Sequence, residues 1–346
     1  MLSKNLKFYR LRSGLSKKEL AERVGISAMA ISHYESGSRR PTMDTLEMLA
    51  GILGVRISDF LAVRNEKIVF SHGEFRKNAA FSGSQQELVR ESVEEYFNRF
   101  MTAVEILGGD VLPSAPQCHA LEMSDDDEQN ASALRSHLGL SPDGPIEDLI
   151  GKLEDKGILI YAHDSGNAQF SGMNGLVDNR PYIVFNSGMS TERNRSAIAH
   201  ELSHQMFIWP DTMSESDAEH KATAISGAFL FPRSDAVREL GIKRTAVTQD
   251  MTLVAKEYGI SMMLLVKRSE LAGIISPSCA RSFYIAASRA GWRTAEPSRI
   301  PEERPALFAQ LVYRAVNEEE ISAQRGAELL KVPYSEIMEM CRLSEV

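Results

Sequence analysis

The five residues His200-Glu201-Leu202-Ser203-His204 constrain this chain more than any other stretch. On a helix, two histidines four apart lie on one face, one turn from each other, so both imidazoles can reach a single metal ion. Glu201, next to the first, then leans over the ion's open side. That is the H-E-x-x-H arrangement of metal sites. The flanks suit such a helix: Ile198, Leu202 and Met206 recur at helical spacing and give an apolar back to a polar, metal-facing front.

A catalytic zinc needs three protein ligands and an open position for water, so two histidines do not complete the site. The next helical pattern downstream, Asp217 to Pro232, carries its apolar stripe on Ala218, Ala222, Ile225, Ala228 and Phe229. Glu219 and Thr223 stand four apart on its flank, where one can bind metal and the other buttress a ligating histidine. Glu219 is the preferred third ligand, with His220 and Asp217 as competitors.

These residues carry a family resemblance. Arg195-Ser196-Ala197-Ile198-Ala199-His200-Glu201-Leu202-Ser203-His204, followed by Glu219-His220-Lys221-Ala222 through Phe229-Leu230-Phe231-Pro232, resembles the ImmA/IrrE metallopeptidases, regulatory zinc proteases that cut repressors. The resemblance covers roughly the middle half of the chain. It implies His200, His204 and Glu219 as ligands of one zinc per chain and Glu201 as general base. Thr223 stands where the family usually has Asn or Asp, so its support for the metal is expected to be weaker.

Charge is divided unevenly. Residues 1–62 hold ten Lys/Arg and six Asp/Glu, a balance of +4, in a chain of formal net charge −8, so the remainder carries −12. Only the amino-terminal piece suits a polyanionic partner. It reads as a bundle of short helices. Ser16 with Glu19 makes a capping box before Leu20, Ala21 and Val24, Gly25 makes a tight turn, and Ser27 caps a helix that runs to Glu35. Two helices about a short Gly-containing turn form the helix-turn-helix pattern.

The stretch from Leu6 to Leu61 is similar to the Cro/repressor-type domain called Xre. The signature residues are Ser16-x-x-Glu19-Leu20-Ala21, Gly25-Ile26-Ser27, Ile31-Ser32-x-Tyr34-Glu35-x-Gly37-x-Arg39-x-Pro41 and Leu46-x-x-Leu49-Ala50-x-x-Leu53-Gly54-Val55. The resemblance implies a recognition helix from Ala28 to Tyr34. On it Ser27, Ala28, Met29, Ser32 and His33 would face base edges, while Lys17, Lys18, Arg39 and Arg40 would touch phosphates of a double-stranded DNA operator. Such domains read paired half-sites, so a homodimer is expected on DNA.

Between the two motifs, Glu87 to Leu107 shows a long amphipathic helix pattern, with a break at Ser82-Gly83-Ser84 before it. Strand patterns occupy Gly157 to Tyr161, Gly175 to Val177 and Pro181 to Asn186. Small sheets beside an H-E-x-x-H helix commonly offer an edge on which a substrate chain adds as a strand. The metallopeptidase resemblance points to Tyr182, Val184 and Asn186 as that strand. Candidate oxyanion donors are Tyr182, Tyr161, His163 and Arg195, each better read as a core or surface residue, and His33, His72, His119 and His137 have no matched partners.

The expected architecture is a multidomain α+β protein. It comprises an N-terminal all-α helix-turn-helix bundle (1–62), a linker and connecting helix (63–110), a central α+β zincin-like metallopeptidase domain with a small sheet, the H-E-x-x-H helix and trailing helix-turn-helix-like helices (111–275), and a C-terminal helical region (276–346). A quarter of the residues are charged and 43% hydrophobic, with no long apolar run, which points to a cytoplasmic chain without membrane contact. Cys118, Cys279 and Cys341 are too scattered for a disulfide framework or a zinc site. The expected function is a DNA-binding transcriptional regulator with a zinc endopeptidase that cleaves a regulatory protein, a repressor or antitoxin-like partner. The alternative is a non-catalytic repressor or antitoxin whose peptidase-like domain binds a toxin-like partner or a ligand.

Overall fold

The computed structural model describes residues 2–62, 64–65, 67–73 and 82–342. The expected linker start at Val63 lies outside the described residues. Five helices open the chain: α1 (Leu2–Arg12), α2 (Lys17–Val24), α3 (Ala28–Ser36), α4 (Met43–Leu53) and α5 (Ile57–Leu61). Ser16 and Glu19 close the capping box at the start of α2, Gly25 ends it at φ +77°, and Ser27 caps α3. These local signals build a helix-turn-helix around a core of Leu6, Leu20, Ile31, Leu49 and Phe60. Inside it Arg10 grips Glu35 of α3, with Nη2 donating to Oε2 at 3.1 Å.

A short strand β1 (Phe70–His72) precedes the long helix α6 (Gly83–Ile106). The expected break at Ser82-Gly83-Ser84 is instead the helix start, because Ser82 caps it and Gln85 completes a capping box. After α7 (Asp127–His137) and α8 (Leu149–Asp155) come β2 (Leu159–His163), β3 (Gly172–Val177) and β4 (Arg180–Asn186). The sheet order is β1-β3-β4-β2, with β2 parallel to β4 and the other pairs antiparallel.

Alternation along the strands divides the sheet into two faces. Ile160, Ile183 and Phe185 join the core formed with α9 (Thr191–Met206), α10 (Glu215–Leu230) and the helices α11 (Arg233–Leu240), α12 (Met251–Tyr258) and α13 (Met262–Leu271). Leu159, Met173, Val177, Tyr182 and Val184 join the opposite core, with Phe97 and Phe100 of α6. Past α14 (Pro277–Arg289) and α15 (Trp292–Ala295), α16 (Leu307–Asn317) completes that second core through Phe308, Leu311 and Val312. Helices α17 (Ala323–Leu330) and α18 (Tyr334–Met340) follow, and no described helix is long and apolar enough to cross a membrane.

Helix α6 carries the sheet on one side and the amino-terminal bundle on the other. Lys7 of α1 pairs with Glu87 at 2.7 Å and Glu91 at 3.1 Å, Lys4 with Glu94 at 3.4 Å, and Arg64 with Glu91 at 3.2 Å. The cationic surplus of the bundle is therefore partly spent on the acidic side of α6.

Candidate metal centre

His200 and His204 project from the last turns of α9, and Glu219 comes from the second turn of α10, which packs against it. Three donor atoms converge there: His200 Nε2 to His204 Nε2 is 3.0 Å, His204 Nε2 to Glu219 Oε1 is 3.1 Å, and His200 Nε2 to Glu219 Oε2 is 3.4 Å. Tetrahedral ligands about 2.0–2.1 Å from a zinc ion stand roughly 3.3 Å from one another, so these residues fit that metal. Among the described residues this is the group with metal-binding geometry. His200 is buried, whereas His204 and Glu219 keep side-chain exposures of 21% and 30%, which leaves the centre open on their side.

The competing third ligands do not join it. Asp217 accepts the Ser214 hydroxyl at 2.6 Å in the first turn of α10, and His220 faces solvent. Thr223, one turn beyond Glu219, brings Oγ1 to 3.3 Å from His200 Nδ1. An acceptor at Nδ1 holds the proton there and turns the Nε2 lone pair towards the metal. Thr223 itself is exposed, so water competes for that hydroxyl.

Glu201 is buried, and its Oε2 accepts the side-chain amide of Asn174 on β3 at 2.8 Å. Gly172 on the same strand lies so close that a Cβ there would stand 3.2 Å from Glu201 Cγ. Asn174 escaped the reading of the sequence. Its signal was available only in the strand alternation, which sets residues 172 and 174 on the face opposite Met173. Trp209 was also missed; its indole donates to the His204 carbonyl at 3.1 Å and its ring lies 5.0 Å from the imidazole.

The expectation that Tyr182, Val184 and Asn186 form an edge strand for substrate is corrected. β4 is paired on both sides, by β3 and β2, so it has no free edge. Tyr182 and Val184 point into the core on the α6 side, and Asn186 ties down a loop by donating to the carbonyls of Asn167 and Phe170. The surmised oxyanion donors are likewise engaged elsewhere. Tyr161 stacks on Tyr96 at 4.0 Å, and burial pushes its hydroxyl up to about 12. Burial presses His163 down to about 4, and Arg195 donates to the carbonyl of Ile146 and pairs with Glu303. His72, read as unpartnered, meets the Tyr182 hydroxyl at 2.6 Å and Glu94 at 3.4 Å.

In the amino-terminal bundle Lys17, Lys18, Ser27, Ala28, Met29, His33, Arg39 and Arg40 are all exposed, and Ser32 is half-buried. Lys17 lies 3.4 Å from the Ser32 hydroxyl and 3.6 Å from Glu35, so the start of α2 and the outer side of α3 form one surface. Met29 is 64% exposed on that surface.

Residues 6–60 match the helix-turn-helix family, and residues 153–270 match the IrrE N-terminal-like domain, a peptidase family of metallopeptidase-like fold. The uncharacterised HTH-type transcriptional regulator YqaE of Bacillus subtilis (strain 168) is 36% identical over 70 residues, which cover 20% of this chain and 60% of that protein. The chain thus spans about three fifths of that relative's length. No solved structure matches the chain. The chain thus joins a helix-turn-helix match at residues 6–60 to an IrrE-like match at residues 153–270.

Proposed function

We propose that this protein is a cytoplasmic transcriptional regulator that binds operator DNA as a homodimer through residues 1–62 and cleaves a regulatory protein with a zinc-dependent endopeptidase built within residues 111–275. The observation that carries the reading is the convergence of His200, His204 and Glu219 beside a buried Glu201 held by Asn174. A purely structural metal would have no use for that carboxylate.

When bound, zinc supplies a Lewis acid that lowers the pKa of water towards about 7 and polarises a peptide carbonyl. The rest belongs to the chain's own groups. His200 and His204 present Nε2 and Glu219 its carboxylate, with Thr223 fixing the His200 tautomer. Asn174 holds Glu201 Oε2, which leaves Oε1 to take the proton from the attacking water and hand it to the departing amine. The exposed cations Lys17, Lys18, Arg39 and Arg40 serve phosphate contact, and Ser27, Ala28, Met29, Ser32 and His33 serve base readout.

The non-catalytic alternative, a repressor or antitoxin-like protein whose peptidase-like domain binds a partner, draws support from Thr223. Its exposed hydroxyl is a weaker buttress than a carboxylate or amide. Comparison of protein amino termini in cells carrying the wild type or Glu201→Gln decides between the two readings. New termini on a regulatory protein in the wild type alone are expected; identical termini in both would favour the binder.

A further inference from the structure

A sheet beside a peptidase centre is useful to an extended substrate only if a strand next to the catalytic carboxylate has a free side. β3 is that strand here, since Asn174 and Gly172 touch Glu201 and β4 covers only its inner edge. Its outer edge is taken by the chain's own β1, antiparallel, with Phe70 opposite Val177, Ser71 opposite Leu176 and His72 opposite Gly175. The pairing continues one residue further, where the Gly73 N–H donates to the Asn174 carbonyl at 2.8 Å. Gly73 is thus bonded to the backbone of the residue whose side chain holds Glu201.

We infer that the outer edge of β3 is the peptide-binding edge of the metal centre, and that β1 with Gly73 fills it in cis as a displaceable substrate mimic. This rests on the peptidase reading above. The direction is right: a strand in this register that runs past position 73 comes to lie beside Gly172, against Glu201. The seat is specific, because His72 anchors between Tyr182 and Glu94. It is also light. β1 is three residues long, Ser71 is exposed, the neighbouring Val69 is 68% exposed, and Ile68 and Phe70 are only partly buried against the core, so displacement uncovers no fully buried side chain of the segment.

The register carries a selectivity. A Cβ on Gly73 would stand 2.8 Å from both the carbonyl oxygen and the side-chain oxygen of Asn174, closer than packed atoms allow. An occupant that leaves the Asn174–Glu201 bond intact therefore needs glycine at that position. The substrate class is an extended peptide with glycine at the position bonded to the Asn174 backbone.

Ser71 supplies the handle for a test. Bonded positions alternate along an antiparallel pair, and the bonds at Val69–Asp178 and Gly73–Asn174 make Ser71–Leu176 the bonded pair between them. Ser71→Pro removes its N–H from the ladder without touching the core. The probe is a fluorescein-labelled, carboxy-amidated peptide of residues 67–73, Lys-Ile-Val-Phe-Ser-His-Gly, titrated by fluorescence anisotropy. Binding to Ser71→Pro at least tenfold tighter than to the wild type is expected, with a further tenfold loss when the peptide carries Gly73→Val. Equal affinity for both proteins, no binding to either, or indifference to the valine would overturn the inference. Zinc content measured on the same samples separates the two readings: zinc without peptide binding defeats the edge alone, and peptide binding without zinc defeats the peptidase alone. Should Ser71→Pro not fold, amide exchange of Leu176 in the wild type decides, since protection by a seated β1 supports the inference and exchange at the open-chain rate overturns it.

Discussion

Thr223 is the residue at which this centre departs most from its expected chemistry. Its hydroxyl reaches His200 Nδ1 at 3.3 Å from the solvent rim. Groups that orient a metal's ligands from behind are worth about 10- to 100-fold in metal affinity. Thr223→Asn, with a stronger acceptor at the same position, is expected to tighten zinc binding roughly tenfold; competition with a chelator measures it, and an unchanged Kd would show that the hydroxyl already suffices. His163 makes a second residue-scale prediction. Its Nε2 is buried without a partner, and burial lowers its pKa from 6.5 to about 4. The folded state therefore resists protonation that the unfolded chain accepts, so the stability gained from a neutral His163 is present above pH 6.5 and is lost as pH falls from 6.5 towards 4. Urea unfolding at pH 7 and pH 5 should show a smaller loss for His163→Gln than for the wild type. The convergence of His200 and His204 was legible because a four-residue step fixes two side chains on one helix face. Asn174 was not, because its contact with Glu201 spans 27 positions and depends on how β3 lies against α9.

At the scale of elements, the helices announced themselves and the strand neighbours did not. Ser16 with Glu19, Gly25 and Ser27 give α2 and α3 their ends through contacts within a few residues, which sequence records directly. The alternation in Pro181 to Asn186 tells which side chains share a face, and Tyr182 and Val184 do share one. It does not tell which strands pair on either side, so β4 was taken for an edge when it lies between β3 and β2. Of the two strands that do stand at the edges, β1 and β2, β1 has too few residues to show a period. The surface formed by α2 and α3 carries its own prediction. If Arg39 and Arg40 each neutralise one phosphate, the Arg39→Ala/Arg40→Ala pair should reduce the slope of log K against log salt by about 1.8 and weaken all sequences alike. An unchanged slope would place the phosphate contacts elsewhere on the bundle.

On the scale of the whole molecule, α6 touches both the amino-terminal bundle and the sheet. Its acidic side takes Lys4 and Lys7 of α1, and Glu94 also holds His72 of β1. The charge division between residues 1–62 and the rest was readable by counting, but the docking it supports was not, because it pairs lysines near the amino terminus with carboxylates some 80 to 90 positions away. The amino-terminal bundle and the sheet beside the metal centre thus share one helix. The proposed chemistry depends on the metal. Native mass spectrometry of the purified full chain and of His204→Ala, with circular dichroism as the check on folding, tests it most directly. About one zinc per wild-type chain and none in the folded variant is the predicted result; a folded wild type without zinc, or a His204→Ala chain that keeps it, would contradict the three-ligand centre.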